Sequence, residues 1–260
     1  MPQVALLLSR LQQIAEALAK RPSAVALLGL GSVGLERERL DQYSDLDFFV
    51  IAAPGKKHQL LSDMSWLSDP APLAYRFANT ADGCKALYAD GVFCEFAVFE
   101  LAELASVTYA PGQVIWHRPA IDPSMLEPKQ PLPQPTMSSA EWLVGEALTN
   151  LLVGMQRDVR GERLSAMRFV QVYALDRIIE LTEQRQANDS SPPADPFSLE
   201  RRFEMRHQHS NHWLLQMAQG YNRNAQSALA ILRHLQNQFD VEPTMAQAID
   251  DLCQQALAND

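Results

Sequence analysis

One stretch decides the fold of this chain: Asp45-Leu46-Asp47-Phe48-Phe49-Val50-Ile51. Its alternation predicts a β-strand in which Asp45 and Asp47 share one face and Leu46 and Phe48 share the other. Two like charges held this close repel each other unless a cation neutralises them. Oxygen ligands without histidine or cysteine suit a hard cation such as Mg²⁺. The strand therefore predicts a metal bound by Asp45 and Asp47.

A Gly-Ser turn precedes this acidic strand. The apolar run Leu28-Gly29-Leu30 ends at Gly31 and Ser32, and twelve residues separate Ser32 from Asp45. Glycine lets the backbone approach a ligand closely, and N–H groups at a strand-to-helix turn favour phosphate. Gly31 and Ser32 are therefore predicted to bind phosphate groups beside the metal, a combination typical of nucleotide chemistry.

A third carboxylate, Glu95, lies between Cys94 and Phe96 in a second apolar strand pattern. An unpaired carboxylate is costly to bury, so a partner is expected. If this strand lies beside the acidic strand, the carboxylates of Asp45, Asp47 and Glu95 converge. Glu95 is then either a third metal ligand or the general base that takes a proton from an acceptor hydroxyl. The sequence leaves both roles open.

Composition predicts a globular protein of the cytoplasm. The 260 residues are 47% hydrophobic and carry a net charge of −9 without a basic run, which argues against a nucleic-acid partner. No apolar stretch reaches the roughly eighteen residues of a membrane span, so no membrane partner is expected. The three scattered cysteines, Cys84, Cys94 and Cys253, fit a reducing compartment and no structural metal.

A proline cluster between Pro119 and Pro135 separates two patterns, because proline excludes a regular helix or a central strand. We predict an α+β fold with a mixed-sheet domain over 1–119, a proline-rich linker over 120–136 and an all-α helical bundle over 137–260. In the first domain the patterns predict helices at Val4–Lys20 and Lys56–Leu67, and strands at Ala24–Gly29, Tyr75–Asn79, Ala86–Tyr88 and Val92–Val98. In the second they predict helices at Glu141–Val159, Arg163–Glu183, Phe197–Gly220 and Asn224–Gln238, with a loop at Ala187–Pro196.

The glycine turn and the acids together resemble a known superfamily. Leu28-Gly29-Leu30-Gly31-Ser32, the twelve-residue gap, Asp45-Leu46-Asp47-Phe48 and Glu95 resemble the signature of nucleotidyltransferases with a DNA polymerase β-like core. Within that superfamily, Gly34-Leu35-Glu36, the run from Asp41 to Phe48 and Cys94-Glu95-Phe96 are most similar to the antibiotic-modifying branch of lincosamide and aminoglycoside nucleotidyltransferases. The helical half resembles that branch more loosely, around Arg160-Gly161-Glu162.

The resemblance implies a function. Such enzymes use Mg²⁺ to move a nucleoside monophosphate from a nucleoside triphosphate to a hydroxyl of a small molecule such as an antibiotic, and some are homodimers. It implies Asp45, Asp47 and Glu95 as catalytic residues and metal ligands, and Gly31 and Ser32 as nucleotide-binding residues. We expect the active site in a cleft between the domains, with the helical domain choosing the acceptor.

Three other functions stay open: a transferase that modifies a protein hydroxyl (AMPylation-like), a transferase core fused to a helical ribonuclease-type module, and a non-catalytic nucleotide sensor. Arg202 and His207 have the spacing of such ribonucleases, but Phe203 replaces a residue that is usually polar there. We interpret His207, His209 and His212 as the polar surface of a helix, because no acid or cysteine completes a metal-binding set. The intact acids argue against the sensor.

Overall fold

The computed structural model describes residues 3–133, 138–186 and 194–259. The chain divides into two compact units, Met1–Leu132 and Pro133–Asp260. The first unit has a six-stranded mixed sheet with helices, and the second is helical, so the predicted α+β class is confirmed. Among the described residues, no helix is long and apolar enough to cross a membrane.

The sheet of the first unit has the strand order β3-β4-β5-β2-β1-β6. β2 and β5 are parallel, and the other neighbouring pairs are antiparallel. The strands are β1 (Ala24–Gly29), β2 (Leu46–Ala52), β3 (Leu73–Ala78), β4 (Gly83–Tyr88), β5 (Phe93–Glu100) and β6 (Gln113–His117). The helices are α1 (Val4–Ala19), α2 (Lys57–Ser62) and α3 (Ser65–Ser68).

Helix α1 contributes the main core on one face of this sheet. Its buried residues, among them Leu7, Leu11 and Ile14, recur at spacings of three and four and therefore lie on one side of the helix. Alternate residues of β2 and β5 complete this core. The rings of Phe48 and Phe96 stack there with their centroids 5.1 Å apart. The same alternation turns Asp47 and Glu95 towards the opposite face.

The opposite face has its own smaller core. Leu28 and Ile51 pack there with Leu104, Tyr109 and Leu126. Leu126 ends the 3₁₀ helix Pro123–Leu126, and its carbonyl accepts a hydrogen bond of 2.9 Å from the Tyr109 hydroxyl. The predicted linker over 120–136 thus begins with a segment that packs on the first unit, and residues 134–136 lie outside the described residues.

One predicted helix of the first unit is interrupted. The pattern at Lys56–Leu67 forms α2 and α3 instead of one helix. Asp63 follows α2 with an extended backbone (φ −104°, ψ +92°), and its side chain accepts a hydrogen bond of 3.0 Å from the Ser65 N–H, so the chain turns between the two helices.

The second unit contains seven α-helices among its described residues. They are α4 (Ala140–Val159), α5 (Arg163–Arg168), α6 (Leu175–Gln186), α7 (Phe203–Arg206), α8 (Ser210–Met217), α9 (Asn224–Gln238) and α10 (Pro243–Ala258). A π-helical segment, Phe169–Ala174, joins α5 to α6. Their apolar faces form one core that includes Leu151, Ile178 and Ile231.

In the helical unit one predicted helix was wrong and one helix was not predicted. Phe197–Gly220 is not one helix, because Arg202 has a φ of +59° and α7 is only four residues long. Helix α10 was missed, although Pro243 in its first turn and Glu242, whose side chain accepts from the Met245 N–H, mark its start. Most of the predicted loop Ala187–Pro196, residues 187–193, lies outside the described residues.

Gly34, which follows the Gly-Ser turn, allows a stability prediction. A Cβ on Gly34 would lie 2.5 Å from the Gly29 carbonyl oxygen, so Gly34→Ala should lower the free energy of unfolding by about 2 kcal/mol or more. A Cβ on Gly145, inside α4, meets nothing within 4 Å. The control Gly145→Ala should therefore raise stability by about 0.5 to 1 kcal/mol. Urea unfolding followed by circular dichroism measures both, and a Gly34→Ala protein as stable as wild type would contradict this account.

Candidate functional site

Three adjacent strands bring two acids and a lysine into one row. Asp47 of β2 is paired with Glu95 of β5, and Glu95 is paired with Lys85 of β4. Paired residues on neighbouring strands, about 4.8 Å apart, point to the same face of the sheet. Lys85, Glu95 and Asp47 therefore lie side by side on the face opposite the α1 core. The sequence alone did not show that β2 and β5 are neighbours.

Asp45 lies immediately before β2 and is half-buried. A turn precedes it, in which the Asp41 side chain accepts a hydrogen bond of 2.8 Å from the Tyr43 N–H and the Asp41 N–H donates to the Ser44 hydroxyl at 3.0 Å. This turn leads the chain into the strand. Asp47, two residues further on, is exposed to solvent.

The Gly-Ser turn is attached directly to the acidic strand. The Leu30 N–H donates a hydrogen bond of 2.8 Å to the Asp47 carbonyl, and Gly31 follows with a φ of +48°. A left-handed conformation favours glycine at this position. The helix that was expected to follow is a 3₁₀ turn of three residues, Gly31–Val33, which is too short for a helix dipole. Any phosphate bound there would depend on individual N–H groups and the Ser32 hydroxyl.

Glu95 does not have the buried, unpaired environment that the sequence indicated. Its side chain is 41% exposed, and its Oε2 lies 2.9 Å from Lys85 Nζ. Its Oε1 accepts a longer hydrogen bond, of 3.5 Å, from the Asn79 amide. The expectation failed because Cys94 and Phe96 point to the α1 core, whereas Glu95 points to the other face.

The donor set suits magnesium in part. Within the described residues, no three His, Cys, Asp or Glu side chains converge on a point where they could hold a metal ion. Mg²⁺ does not require such a cage, since in nucleotide sites it is held by one or two carboxylates, substrate phosphates and water. Asp45 and Asp47 carry donors of that chemical kind, and their assignment as magnesium ligands stays a prediction. The assignment of Glu95 as a third ligand stays a prediction.

A polar cluster in the helical unit bears on the ribonuclease alternative. Oε1 of Glu183 lies 2.9 Å from Nε2 of His207 and 2.8 Å from Nη2 of Arg206. Arg206 also donates to the carbonyl of Leu199 at 2.6 Å. The His207 side chain is only 6% exposed, so its interpretation as part of a polar helix surface was wrong. Arg202 is exposed whereas His207 is buried, so Arg202 and His207 do not form one open surface.

The helical unit also has an acidic cavity of about 420 Å³. Asp176, Glu180 and Glu200 line it together with Phe197 and with Arg177, whose Nη2 lies 2.5 Å from Oε1 of Glu180. Burial raises the pKa of Asp176, and the charge of Glu200 adds to this effect while Arg177 opposes it. Burial likewise raises the pKa of Glu180. No local sequence signal predicted this cavity, because residues from separate segments form it.

Comparison with known proteins adds little to this geometry. No protein-family model and no curated protein sequence matches the chain. Among solved structures, the chain is similar to an aminoglycoside 6-adenyltransferase from Bacillus subtilis, with a TM-score of 0.32 and 11% sequence identity over 95% of this chain and 90% of that chain. A TM-score this low does not establish a common fold. The chemistry of the site therefore rests on its own residues.

The raised pKa of Asp176 predicts a pH-dependent stability. In the unfolded chain Asp176 has its ordinary pKa of about 3.9, whereas in the folded protein its pKa is higher. The unfolded state therefore loses this proton first as the pH rises. The folded protein loses stability from about pH 3.9 upward until the pH has passed the folded pKa. Asp176→Asn should therefore have a higher Tm than wild type at pH 7 and no advantage at pH 3. Asp251→Asn, on the exposed surface of α10, controls for the change of net charge. Equal Tm shifts in the two variants at pH 7 would contradict the assignment.

Proposed function

We propose that this protein is a Mg²⁺-dependent nucleotidyltransferase that moves a nucleoside monophosphate from a nucleoside triphosphate to a hydroxyl of a small molecule. One observation carries the proposal. The register of β2 and β5 pairs Asp47 with Glu95, and the hydrogen bond from Leu30 to Asp47 sets the Gly-Ser turn beside them. Carboxylates and a phosphate-binding turn are the parts that this chemistry requires.

The turn is proposed to bind the triphosphate. Gly31 has no side chain to block a phosphate oxygen, and its left-handed conformation turns the backbone sharply between β1 and the acidic strand. The Ser32 hydroxyl can donate a hydrogen bond to an anionic oxygen, which is stronger than a bond between neutral groups. In this assignment Gly31 and Ser32 bind the β and γ phosphates.

The aspartates are proposed to hold the metal. Asp47 is exposed and Asp45 is half-buried, and their carboxylates supply the hard oxygen donors that Mg²⁺ prefers. When bound, the cation would neutralise negative charge on the triphosphate and on the departing pyrophosphate. Glu95 is the third acid of the site, as a ligand or as the base.

The proposed reaction is a displacement at the α phosphorus. The acceptor oxygen forms a bond to that phosphorus while the bond from the phosphorus to the oxygen bridging the α and β phosphates breaks, and pyrophosphate leaves with that electron pair. The acceptor hydroxyl loses its proton, and Glu95 is the candidate to receive it, because its partly exposed carboxylate can approach a bound hydroxyl. Its pairing with Lys85 would orient the carboxylate.

The helical unit is proposed to choose the acceptor. Within that unit the acids Asp176, Glu180 and Glu200 outnumber Arg177 in the lining of one cavity, and the whole chain carries a net charge of −9. Both properties favour a cationic small molecule that bears a hydroxyl over an anionic one. A protein hydroxyl is the alternative acceptor, and a panel with both acceptor types separates the two.

Loss of either aspartate should remove turnover. Asp45→Asn and Asp47→Asn should each lower the rate of pyrophosphate release by about two orders of magnitude or more, because each removes a ligand charge, and both should stay folded. The assay combines ATP, GTP, CTP or UTP with Mg²⁺ and a panel of hydroxylated acceptors. Asp69→Asn removes a carboxylate from an exposed pair with Arg21 and serves as the control. Wild-type rates in both site variants would refute the metal assignment.

The Gly-Ser turn should determine the affinity for the nucleoside triphosphate. Ser32→Ala should weaken triphosphate binding by about 1 to 2 kcal/mol through one lost hydrogen bond to a charged group. Gly31→Val should abolish it, because a branched side chain both opposes the positive φ and occupies the space of a phosphate oxygen. Calorimetric titration with a non-hydrolysable triphosphate measures both. Unchanged affinity in Gly31→Val would show that the turn does not bind phosphate.

A further inference from the structure

The ion pair between Lys85 and Glu95 lies inside the proposed acidic site. The two residues are paired across β4 and β5, and the distance from Nζ to Oε2 is 2.9 Å. The Asn79 amide approaches the other carboxylate oxygen at 3.5 Å. Both oxygens of Glu95 thus already have donors from the side of the sheet that lies away from Asp47.

We propose that Lys85 is an internal counter-ion that limits how tightly the acidic site binds a divalent cation. The lysine keeps Glu95 paired and so withholds the third carboxylate from a free metal ion. The inference rests on the proposed function, since it deepens the role of the same site. Lys85 is a positioning residue in this account, because it acts through Glu95.

The arrangement of charges supports this reading. Lys85 and Asp47 flank Glu95 in one row, so the carboxylate lies between a cation on one side and another carboxylate on the other. Attraction to the Lys85 ammonium holds the Glu95 carboxylate on the β4 side of the row.

A functional consequence follows for the order of binding. Two aspartates alone bind free Mg²⁺ weakly, because this ion keeps its waters unless phosphates help to replace them. A site weakened by Lys85 therefore stays without free metal and accepts the cation together with the triphosphate. The lysine would then make metal binding depend on the nucleotide.

Binding of Mn²⁺ in the absence of nucleotide, measured by electron paramagnetic resonance, tests the proposal without reference to activity. Lys85→Gln should bind Mn²⁺ about tenfold more tightly than wild type, because one nearby positive charge is removed and Glu95 becomes available as a ligand. Lys85→Arg should keep wild-type affinity. Lys56→Gln makes the same change of net charge and should leave the affinity unchanged. Lys56 follows the far end of β2, and that end, Ala52, is already about 16 Å along the strand from Asp47.

A double-mutant cycle shows whether Lys85 acts through Glu95. In a Glu95→Gln background, Lys85→Gln should tighten Mn²⁺ binding by only about twofold, the screened effect of a single charge. A tenfold gain in both backgrounds would overturn the proposal, and so would equal affinities of Lys85→Gln and Lys56→Gln. The proposed function fails separately, if the combined Asp45→Asn and Asp47→Asn variant binds Mn²⁺ as tightly as wild type.

Discussion

The parallel pairing of β2 and β5 is the constraint on which the rest of the first unit depends. Leu46, Phe48 and Val50 on one strand, and Cys94, Phe96 and Val98 on the other, are all buried on the α1 side. A slip of one residue would turn these side chains towards the other face and bring the acids into the core. Burial of each large apolar side chain stabilises the fold by about 1.5 to 3 kcal/mol. The register that places Asp47 beside Glu95 is therefore a result of core packing.

The same packing creates an electrostatic cost that the fold keeps small. Like charges opposite each other on neighbouring strands destabilise a sheet by about 0.2 to 1 kcal/mol, which is less than one buried phenylalanine contributes. Exposure of Asp47 to solvent and the pairing of Glu95 with Lys85 reduce this cost further. The acids are thus tolerated on a surface whose opposite face supplies the stability, and a site of this kind can keep charges that a core could not.

The helical unit is stabilised in part by buried polar groups as well as by apolar helix faces. Its long helices, such as α4 and α9, bury regular apolar stripes, but the region around α7 and α8 is organised by buried polar groups. There Arg206, with 4% of its side chain exposed, is held by Glu183 and by backbone carbonyls. Removal of one partner from such a pair is costly, by about 3 to 5 kcal/mol, because it leaves a buried charge without compensation. In this region the chain forms the short helices α7 and α8, with the left-handed residue Arg202 just before α7. One long helix over Phe197–Gly220 was expected there.

The sequence by itself determined the elements and the chemistry of the candidate groups. Alternation in β2 and β5, the glycine turn and the periodic helices α1, α4 and α9 were predictable, because each depends on local conformation and on a repeating apolar face. Only the tertiary structure decided which strands are neighbours, that Glu95 faces away from the core with Lys85 as its partner, and that His207 is buried against Glu183. These facts depend on contacts between residues far apart in the chain, and no local pattern encodes the identity of a distant partner.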